Sequence, residues 1–226
     1  PYINRGSSMT LKLNGSSSGS VSIDAPASTT GGADITFALP VADGTSGQAL
    51  TTNASGQLAF SDIPGSYNAT AVSVGTSATY TFTPGLPTTA KIVYLTWDDI
   101  SPSATSWVRL RVGTSSAFVS SGYLGQHGYA SGGSGSMQGV QYTDEIPFLH
   151  QNFDGSGNAY SGMLTLIKHT GNKWIYQGTT AVDGQNYPGL FYGSVDVGGA
   201  LNRFEFALEQ NSAVFNAGTV NCTWIS

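Results

Sequence analysis

Residues 35–60 read ITFALPVADGTSGQALTTNASGQLAF, and this stretch decides how the chain can fold. An apolar run over residues 35–39 stops at Pro40. Two polar turns then frame the strand-like pieces 48–50 and 57–60. Each piece has only two or three side chains large enough to bury, so one chain cannot build a core from them. The stretch therefore predicts packing against other chains, and copies of the same chain are the simplest partners.

The order of residues in this stretch resembles a segment that recurs in the tail fibres of tailed bacteriophages. The matching elements are a Leu-Pro pair, an Asp-Gly turn, a Gly-Gln-x-Leu piece and a final Gly-x-Leu piece. They stand here at residues 39–40, 43–44, 47–50 and 56–58. The resemblance implies a homotrimeric virion protein that attaches the particle to its host.

The C-terminal part carries a second resemblance. Trp97 is followed by a short turn, and the strand Phe-x-x-Gly-Thr-Val occupies residues 215–220. Together with Arg111-Val112-Gly113, this order is similar to a β-rich terminal domain found on many phage tail fibres. The pair Asp98-Asp99 does not map onto that pattern.

The composition restricts the class of partner. The chain has 226 residues, 8 of them Lys or Arg and 13 Asp or Glu, and no window concentrates the basic residues. Binding to nucleic acid is therefore not expected. No apolar run is long enough to span a bilayer, so membrane insertion is not expected either. Because the chain begins at Pro1, we expect an N-terminal part that joins other tail or baseplate proteins.

Aromatic residues predict the domain organisation. Residues 1–66 contain only Tyr2, Phe37 and Phe60, whereas the other aromatic residues lie in 67–226. We predict that residues 1–66 form a shaft or neck segment that trimerises. Residues 67–226 are predicted to form the head domain that binds the receptor.

Strand signals predict an all-β fold with little helix. Runs rich in aromatic and β-branched residues occur at residues 80–83, 92–97, 107–112, 204–209 and 219–225, and residues 163–176 read as a hairpin. Alternation places Arg109 and Arg111 on a solvent face. The prediction is an interwoven trimeric β shaft or neck followed by an antiparallel β-sandwich head of jelly-roll type. The glycine-rich residues 122–141 are predicted to form a long loop.

Catalytic chemistry finds little support in the sequence, and no enzyme is predicted. A glycosidase needs two carboxyl groups about 5–10 Å apart across a cleft. The adjacent pairs at residues 98–99 and 144–145 would point to opposite faces of a strand. A pair drawn from Asp98, Asp99, Asp154 and Asp183 stays open, which leaves a polysaccharide depolymerase as an alternative.

Metal and cofactor sites are not predicted. His127, His150 and His169 are too scattered for a common ligand spacing, although three copies of one residue could share an ion on a trimer axis. Residues 154–165 lack the sixth-position glycine and the twelfth-position acid of a calcium loop. Cys222 is predicted to be an inert thiol within a strand.

Sugar recognition is the chemistry that the residues do support, since aromatic rings stack on pyranose faces while polar side chains bond to hydroxyls. Candidate glycan contacts combine tyrosines with neighbouring Asp, Asn, Gln or His. They are Tyr123, Gln126, His127, Tyr129, Asp154, Asn158, Tyr160, Asp183, Asn186, Tyr187 and Tyr192.

The expected function is that of a homotrimeric tail fibre in the extracellular virion, which binds lipopolysaccharide or capsular polysaccharide for adsorption. A structural head-decoration fibre of the capsid and a depolymerase tailspike are the alternatives.

Overall fold

The computed structural model describes residues 11–23, 28–44, 48–52, 55, 57–63, 65–130, 137–147, 158–183, 189–210 and 212–226. The chain divides into two units, residues 1–63 and 64–226. The sequence pattern places the boundary slightly later, between residues 66 and 67.

In the part that the structure describes, the first unit forms two short antiparallel hairpins. Its strands are β1 (Leu11–Asn14), β2 (Ser20–Ile23), β3 (Gln48–Thr52) and β4 (Leu58–Asp62). β1 pairs with β2, and β3 pairs with β4. The apolar run over residues 35–39 makes one isolated bridge, between Ala38 and Gln57. The proline that follows it cannot donate to a ladder, which is consistent with so short a pairing.

Large apolar side chains of the first unit stay exposed. Phe37 is 60% exposed and Leu39 is 75% exposed. The other exposed ones are Leu11, Leu13, Ile35, Val41, Leu50, Phe60 and Ile63. So many large apolar side chains exposed in one short unit are typical of a surface that contacts something else. The interwoven trimeric neck stays a prediction.

The described residues of the second unit form thirteen strands, which carry the labels β5 to β17 in chain order. They are β5 (Ser66–Asn68), β6 (Val72–Ser73), β7 (Thr79–Phe82), β8 (Ile92–Pro102), β9 (Val108–Gly113), β10 (Leu124–Ala130), β11 (Met137–Tyr142), β12 (Ile146–Pro147), β13 (Tyr160–Thr170), β14 (Lys173–Val182), β15 (Gly189–Asp196), β16 (Arg203–Leu208) and β17 (Phe215–Ile225).

These strands form two antiparallel sheets that pack as a sandwich. The larger sheet has nine strands in the order β11-β10-β15-β14-β13-β8-β17-β5, with β6 also paired to β17. The smaller one has four, in the order β12-β9-β16-β7. The predicted all-β antiparallel sandwich is confirmed, as is the hairpin of β13 and β14. The jelly-roll type stays a prediction.

Helix is minimal, as predicted: the described residues contain one 3₁₀ turn, Thr30–Gly32, and no α-helix. Within that described part, no helix has the length and apolarity to cross a membrane.

Trp97 connects the two sheets at the centre of the core. It lies on β8, and its ring stacks near Phe191 of the same sheet at a centroid distance of 6.2 Å. Its ring also meets the edge of Phe206, on the four-stranded sheet, at 6.3 Å. Offset and edge-to-face aromatic pairs of this kind add about 0.5–1.5 kcal/mol beyond the area that they bury.

Cys222 is buried on β17, and burial raises the pKa of its thiol to about 12, as fits an inert side chain.

The predicted long loop over residues 122–141 is wrong for residues 124–130 and 137–141, which form strands, while residues 131–136 lie outside the described part. β10 and β11 pair as a hairpin, with Gly125 opposite Tyr142 and Gly128 opposite Gly139. The glycines suggested a loop because glycine usually weakens a strand. One of them, Gly125, instead makes room for a neighbouring side chain.

Gly125 and Gly193 lie opposite each other on β10 and β15, and the Tyr176 hydroxyl lies over both. A Cβ on Gly125 would lie 2.6 Å from Tyr176 Oη, and one on Gly193 would lie 2.7 Å from it. The Gly193 Cβ would also lie 2.1 Å from the carbonyl oxygen of Leu124. Close approach to a buried tyrosine therefore explains glycine at both positions.

We predict that Gly193→Ala destabilises the head by about 1–3 kcal/mol, the usual range for overpacking a filled interior. Gly139→Ala is the matched control, since a Cβ there meets nothing within 4 Å. Its effect should stay within about 0.5 kcal/mol. Urea unfolding followed by circular dichroism measures both, and equal stability of the two variants would contradict the packing argument.

Candidate functional site

Three of the predicted glycan contacts are core residues. Tyr123, His127 and Tyr160 are buried. The Tyr123 hydroxyl donates to the Val119 carbonyl oxygen at 3.2 Å and accepts from the Val112 N–H at 3.1 Å. Alternation along β10 explains why Tyr123 and His127 are buried, because residues 123, 125 and 127 face inward while 124, 126 and 128 face outward.

Four other predictions fall on positions whose side chains the structure does not describe. Asp154, Asn186 and Tyr187 lie outside the described residues, and Tyr129 is described by its backbone alone. These four stay predictions.

Asn158 and Asp183 come close to each other at one end of the β13–β14 hairpin. The N–H of Asp183 donates to the carbonyl oxygen of Ala159 at 2.9 Å. Asp183 is exposed and Asn158 is half-buried. The sequence had placed them in separate loops.

Gln126 and Tyr192 face the solvent on neighbouring strands of the nine-stranded sheet. Gln126 on β10 lies opposite Tyr192 on β15. The same crosswise row contains Gln141 on β11 and Gln177 on β14. We call these four residues the Gln–Tyr row. All four side chains are exposed, and Tyr192 is 54% exposed.

A groove of about 350 Å³ lies over part of the Gln–Tyr row, at the side chains of Gln126, Gln141 and Tyr192. Gly128 and Gly139 form the adjacent part of its floor. The groove is open because neither glycine carries a side chain.

The Gln–Tyr row has the chemistry of a neutral, hydroxyl-rich ligand. Each glutamine amide offers two donor hydrogens and an acceptor oxygen, so it can meet either end of a hydroxyl. An exposed phenol supplies a flat apolar face with a polar edge. Directly opposite strand residues have Cβ atoms about 4.5–5.5 Å apart, so neighbouring members of the row can contact one ligand.

Sequence reasoning missed Gln141 and Gln177. Their outward direction can be read from strand alternation, since Gln177 lies between the inward-facing Tyr176 and Gly178. Their place beside Tyr192 depends on the register between strands distant in sequence, which no local pattern reports.

A second pocket, of about 190 Å³, lies beside the four-stranded sheet. Its lining combines two aromatic rings with several charged groups. The residues are Trp107, Val108, Arg109, Tyr142, Asp144, Glu145 and Glu209.

Ion pairs hold most of the charges around this pocket. Arg109 Nη1 donates to Glu209 Oε1 at 2.5 Å, and Arg109 Nη2 donates to Glu205 Oε1 at 3.3 Å. Arg111 Nε donates to the Asp144 carbonyl oxygen at 3.0 Å. Both arginines alternate with the buried Val108, Leu110 and Val112, so they lie on the outward face as predicted.

Glu145 is the carboxyl group of this pocket whose pKa is clearly raised. Burial raises the pKa of its carboxyl to about 7, and the nearby charges of Glu209 and Asp144 act in the same direction. Arg109 and Arg111 oppose them. A carboxyl that keeps its proton near neutral pH can donate a hydrogen bond or act as a general acid. Sequence reasoning had considered Glu145 only together with its neighbour Asp144.

The other predicted acids belong to structural contacts. The Ser161 hydroxyl donates to Asp98 Oδ1 at 2.7 Å, and the Asp99 N–H donates to Ser161 Oγ at 3.0 Å. Asp99 has a φ of 55°, so the strand is locally irregular there and its simple alternation is interrupted. Asp154 lies outside the described residues, so a pair between it and one of these two acids stays a prediction.

Metal binding finds no cluster among the residues that the structure describes: no group of three or more His, Cys, Asp and Glu could hold an ion there. His127 is buried and His169 is exposed at the end of β13, while His150 is outside the described part.

Comparison with known proteins adds no family to these observations. No protein-family model matches the chain. A search of curated proteins also gives no significant match.

We predict that Glu145→Gln changes how stability depends on pH. The folded-state pKa of about 7 lies above the ordinary value of 4.5, so the folded protein holds this proton more tightly than the unfolded chain. Folding stability should therefore fall as the pH rises from about 4.5 to about 7. At about 1.4 kcal/mol for each pH unit the loss is at most about 3.5 kcal/mol, and partial exposure reduces it.

Glu145→Gln cannot lose this proton, so the variant should gain stability over the wild type between about pH 5 and pH 8. Denaturant unfolding at both pH values gives the difference, and Asp183→Asn controls for the loss of one exposed carboxyl. A difference between wild type and Glu145→Gln that does not change with pH would contradict the inferred burial effect.

Proposed function

We propose that this chain is a homotrimeric tail-fibre protein of a virion, and that its head binds a host-surface glycan during adsorption. The tail-fibre part of the proposal is supported by residues 35–60, which combine the Leu-Pro, Asp-Gly and Gly-Gln-x-Leu order with exposed apolar side chains. Side chains such as Phe37 and Leu39 gain stability when other chains cover them.

The Gln–Tyr row carries the glycan-binding part of the proposal. It presents one exposed phenol between glutamines on three neighbouring strands. The Tyr192 ring would stack against the apolar face of a sugar, while Gln126 and Gln177 exchange hydrogen bonds with its hydroxyls. These residues project from strands, which hold side chains more rigidly than loops do.

Charge favours a neutral sugar unit. The row contains glutamine and tyrosine alone, so it offers no ion pair to an acidic or amino sugar. Lipopolysaccharide and capsular polysaccharide both contain neutral sugar units that fit this description. A single open groove gives weak binding, and several copies in a trimer raise the overall avidity.

A depolymerase is the second candidate, and one observation favours it. Glu145, with its raised pKa, shares a pocket with Glu209, which pairs with Arg109. A carboxyl with a raised pKa that shares a pocket with a second carboxyl is an arrangement that acid–base glycoside hydrolysis uses. We place it second because the Gln–Tyr row requires no chemical step.

We predict that Tyr192→Ala weakens glycan binding, because the aromatic ring that stacks on the apolar face of the sugar is lost. Tyr192→Phe should retain most of it, since the ring stays. The loss expected for Tyr192→Ala is about 0.5–1.5 kcal/mol per site, or about 2–13-fold in affinity. A glycan array with purified protein identifies the ligand, and titration calorimetry gives the affinity.

Leu190→Ala is the matched control, because it removes an exposed apolar side chain of the same strand without removing a ring. Binding that survives Tyr192→Ala and Gln126→Ala together would place the glycan elsewhere. Release of reducing sugar from the glycan, lost in Glu145→Gln, would favour the depolymerase.

We predict that the full chain sediments as a trimer and that Phe37→Ser with Leu39→Ser weakens it. Each buried apolar side chain of this size contributes about 1.5–3 kcal/mol. The concentration at which the trimer dissociates should therefore rise at least tenfold for the double variant. Sedimentation equilibrium over a concentration series measures it.

Leu190→Ser serves as the control for polarity alone, since it changes an exposed leucine of the head. A wild-type chain that sediments as a folded monomer at every concentration would refute the homotrimer.

A further inference from the structure

Four isoleucines form a continuous row across the outward face of the nine-stranded sheet. Ile225 on β17 lies opposite Ile92 on β8, and Ile92 lies opposite Ile167 on β13. Ile167 in turn lies opposite Ile175 on β14. We call these four residues the isoleucine row. It crosses four adjacent strands, which corresponds to about 14 Å between the outer two.

The isoleucine row stays uncovered by the described elements of this chain. Ile167 and Ile175 are each 48% exposed, and Ile92 and Ile225 are half-buried. The next two outward rows on the same four strands contain only Thr, Asn, Gln, Tyr and Met. On the other side of the row, Lys173 lies on the same face of β14 as Ile175. An exposed apolar row of this length is unusual for a surface that remains in water.

The outward face of the other sheet has the opposite character. Arg109, Arg111, Arg203 and Glu205 all lie there, on β9 and β16. Arg109 pairs with Glu205, and the Arg203 guanidinium lies 4.4 Å from the Phe118 ring centre. Interface cores are depleted of charged residues, whereas solvated surfaces carry them. The two faces of the sandwich therefore differ in the environment that they suit.

We propose that the isoleucine row is the surface through which each head packs against two other copies of this chain around the trimer axis. The proposal rests on the homotrimer proposed above and adds which face of the head points inward. A copy of the same chain suits this surface, because three identical uncharged aliphatic rows can meet at an axis without burying a charge.

The size of the patch limits what it does alone. Four strands at about 4.8 Å and three outward rows at about 6.8 Å give an area of about 400 Å². Stable interfaces bury about 800 Å² from each partner. The heads therefore pack because the neck already holds the three chains together, which raises their effective concentration.

The Gln–Tyr row keeps its access to solvent in this arrangement. Tyr192, Gln126 and Gln141 lie on β15, β10 and β11, outside the four strands of the isoleucine row. The fourth member, Gln177, lies on β14, an outer one of those four strands, and so stands at the edge of the packed patch beside Tyr192. The isoleucine row thus faces the axis, and the groove lies towards the free β11 edge of the sheet.

Thiol labelling of the full-length protein tests the proposal. The native thiol of Cys222 is buried with a raised pKa, so an introduced cysteine is the reactive one. Ile167→Cys places a thiol in the isoleucine row, and Thr81→Cys places one at an exposed strand position of the other sheet. In the trimer we expect maleimide to react with Ile167→Cys many-fold more slowly than with Thr81→Cys.

Sedimentation of the same samples separates failure of this inference from failure of the homotrimer. A trimer in which both cysteines react at equal rates overturns the inward placement and leaves the homotrimer intact. A monomer in which both cysteines react fast overturns the inward placement and the homotrimer together.

Spin labels on the same kind of cysteine variant provide a second readout. Distances between labels on different chains of the trimer that are shorter for Ile175→Cys than for Thr81→Cys support the proposal. Longer distances at Ile175→Cys than at Thr81→Cys overturn it, as the row would then point away from the axis.

Discussion

Each strand of the head can bury one of its two faces, and the rest of the structure depends on this constraint. The two sheets cover each other's inner faces, with Trp97 and Phe206 in contact between them. Every second residue then points outward and is free to serve another purpose. The Gln–Tyr row, the isoleucine row and the arginines of β9 are three different uses of outward positions.

The sequence was sufficient to predict the class of fold and many of its strands. The alternation of apolar residues over 107–112 correctly predicted that Arg109 faces outward. Successive side chains of a strand point to opposite faces, so burial of the apolar ones determines the direction of all the others. Composition misled in the glycine-rich residues 122–141. There Gly125 is needed inside the sheet, because Tyr176 leaves no room for a Cβ at that position.

The candidate site was predicted only in part, for a physical reason. Tyr192 and Gln126 were named from composition, whereas Gln177 joins them only through the pairing of β14 with β15. Tyr123 shows the opposite error, since a tyrosine beside glycines resembles a loop contact but here fills the core. Which tyrosines face out depends on strand register, and register is set by contacts between distant parts of the chain.

The position of β17 has a consequence for the timing of biosynthesis. This strand follows all the others of the head in the chain, yet it lies between β8 and β5 within the larger sheet and also pairs with β6. While a ribosome is still translating residues 215–225, β8 lacks one neighbour and β5 and β6 lack theirs. The head therefore completes its sheet only after nearly all of its residues have been translated, and until then exposes strand edges that a chaperone could protect.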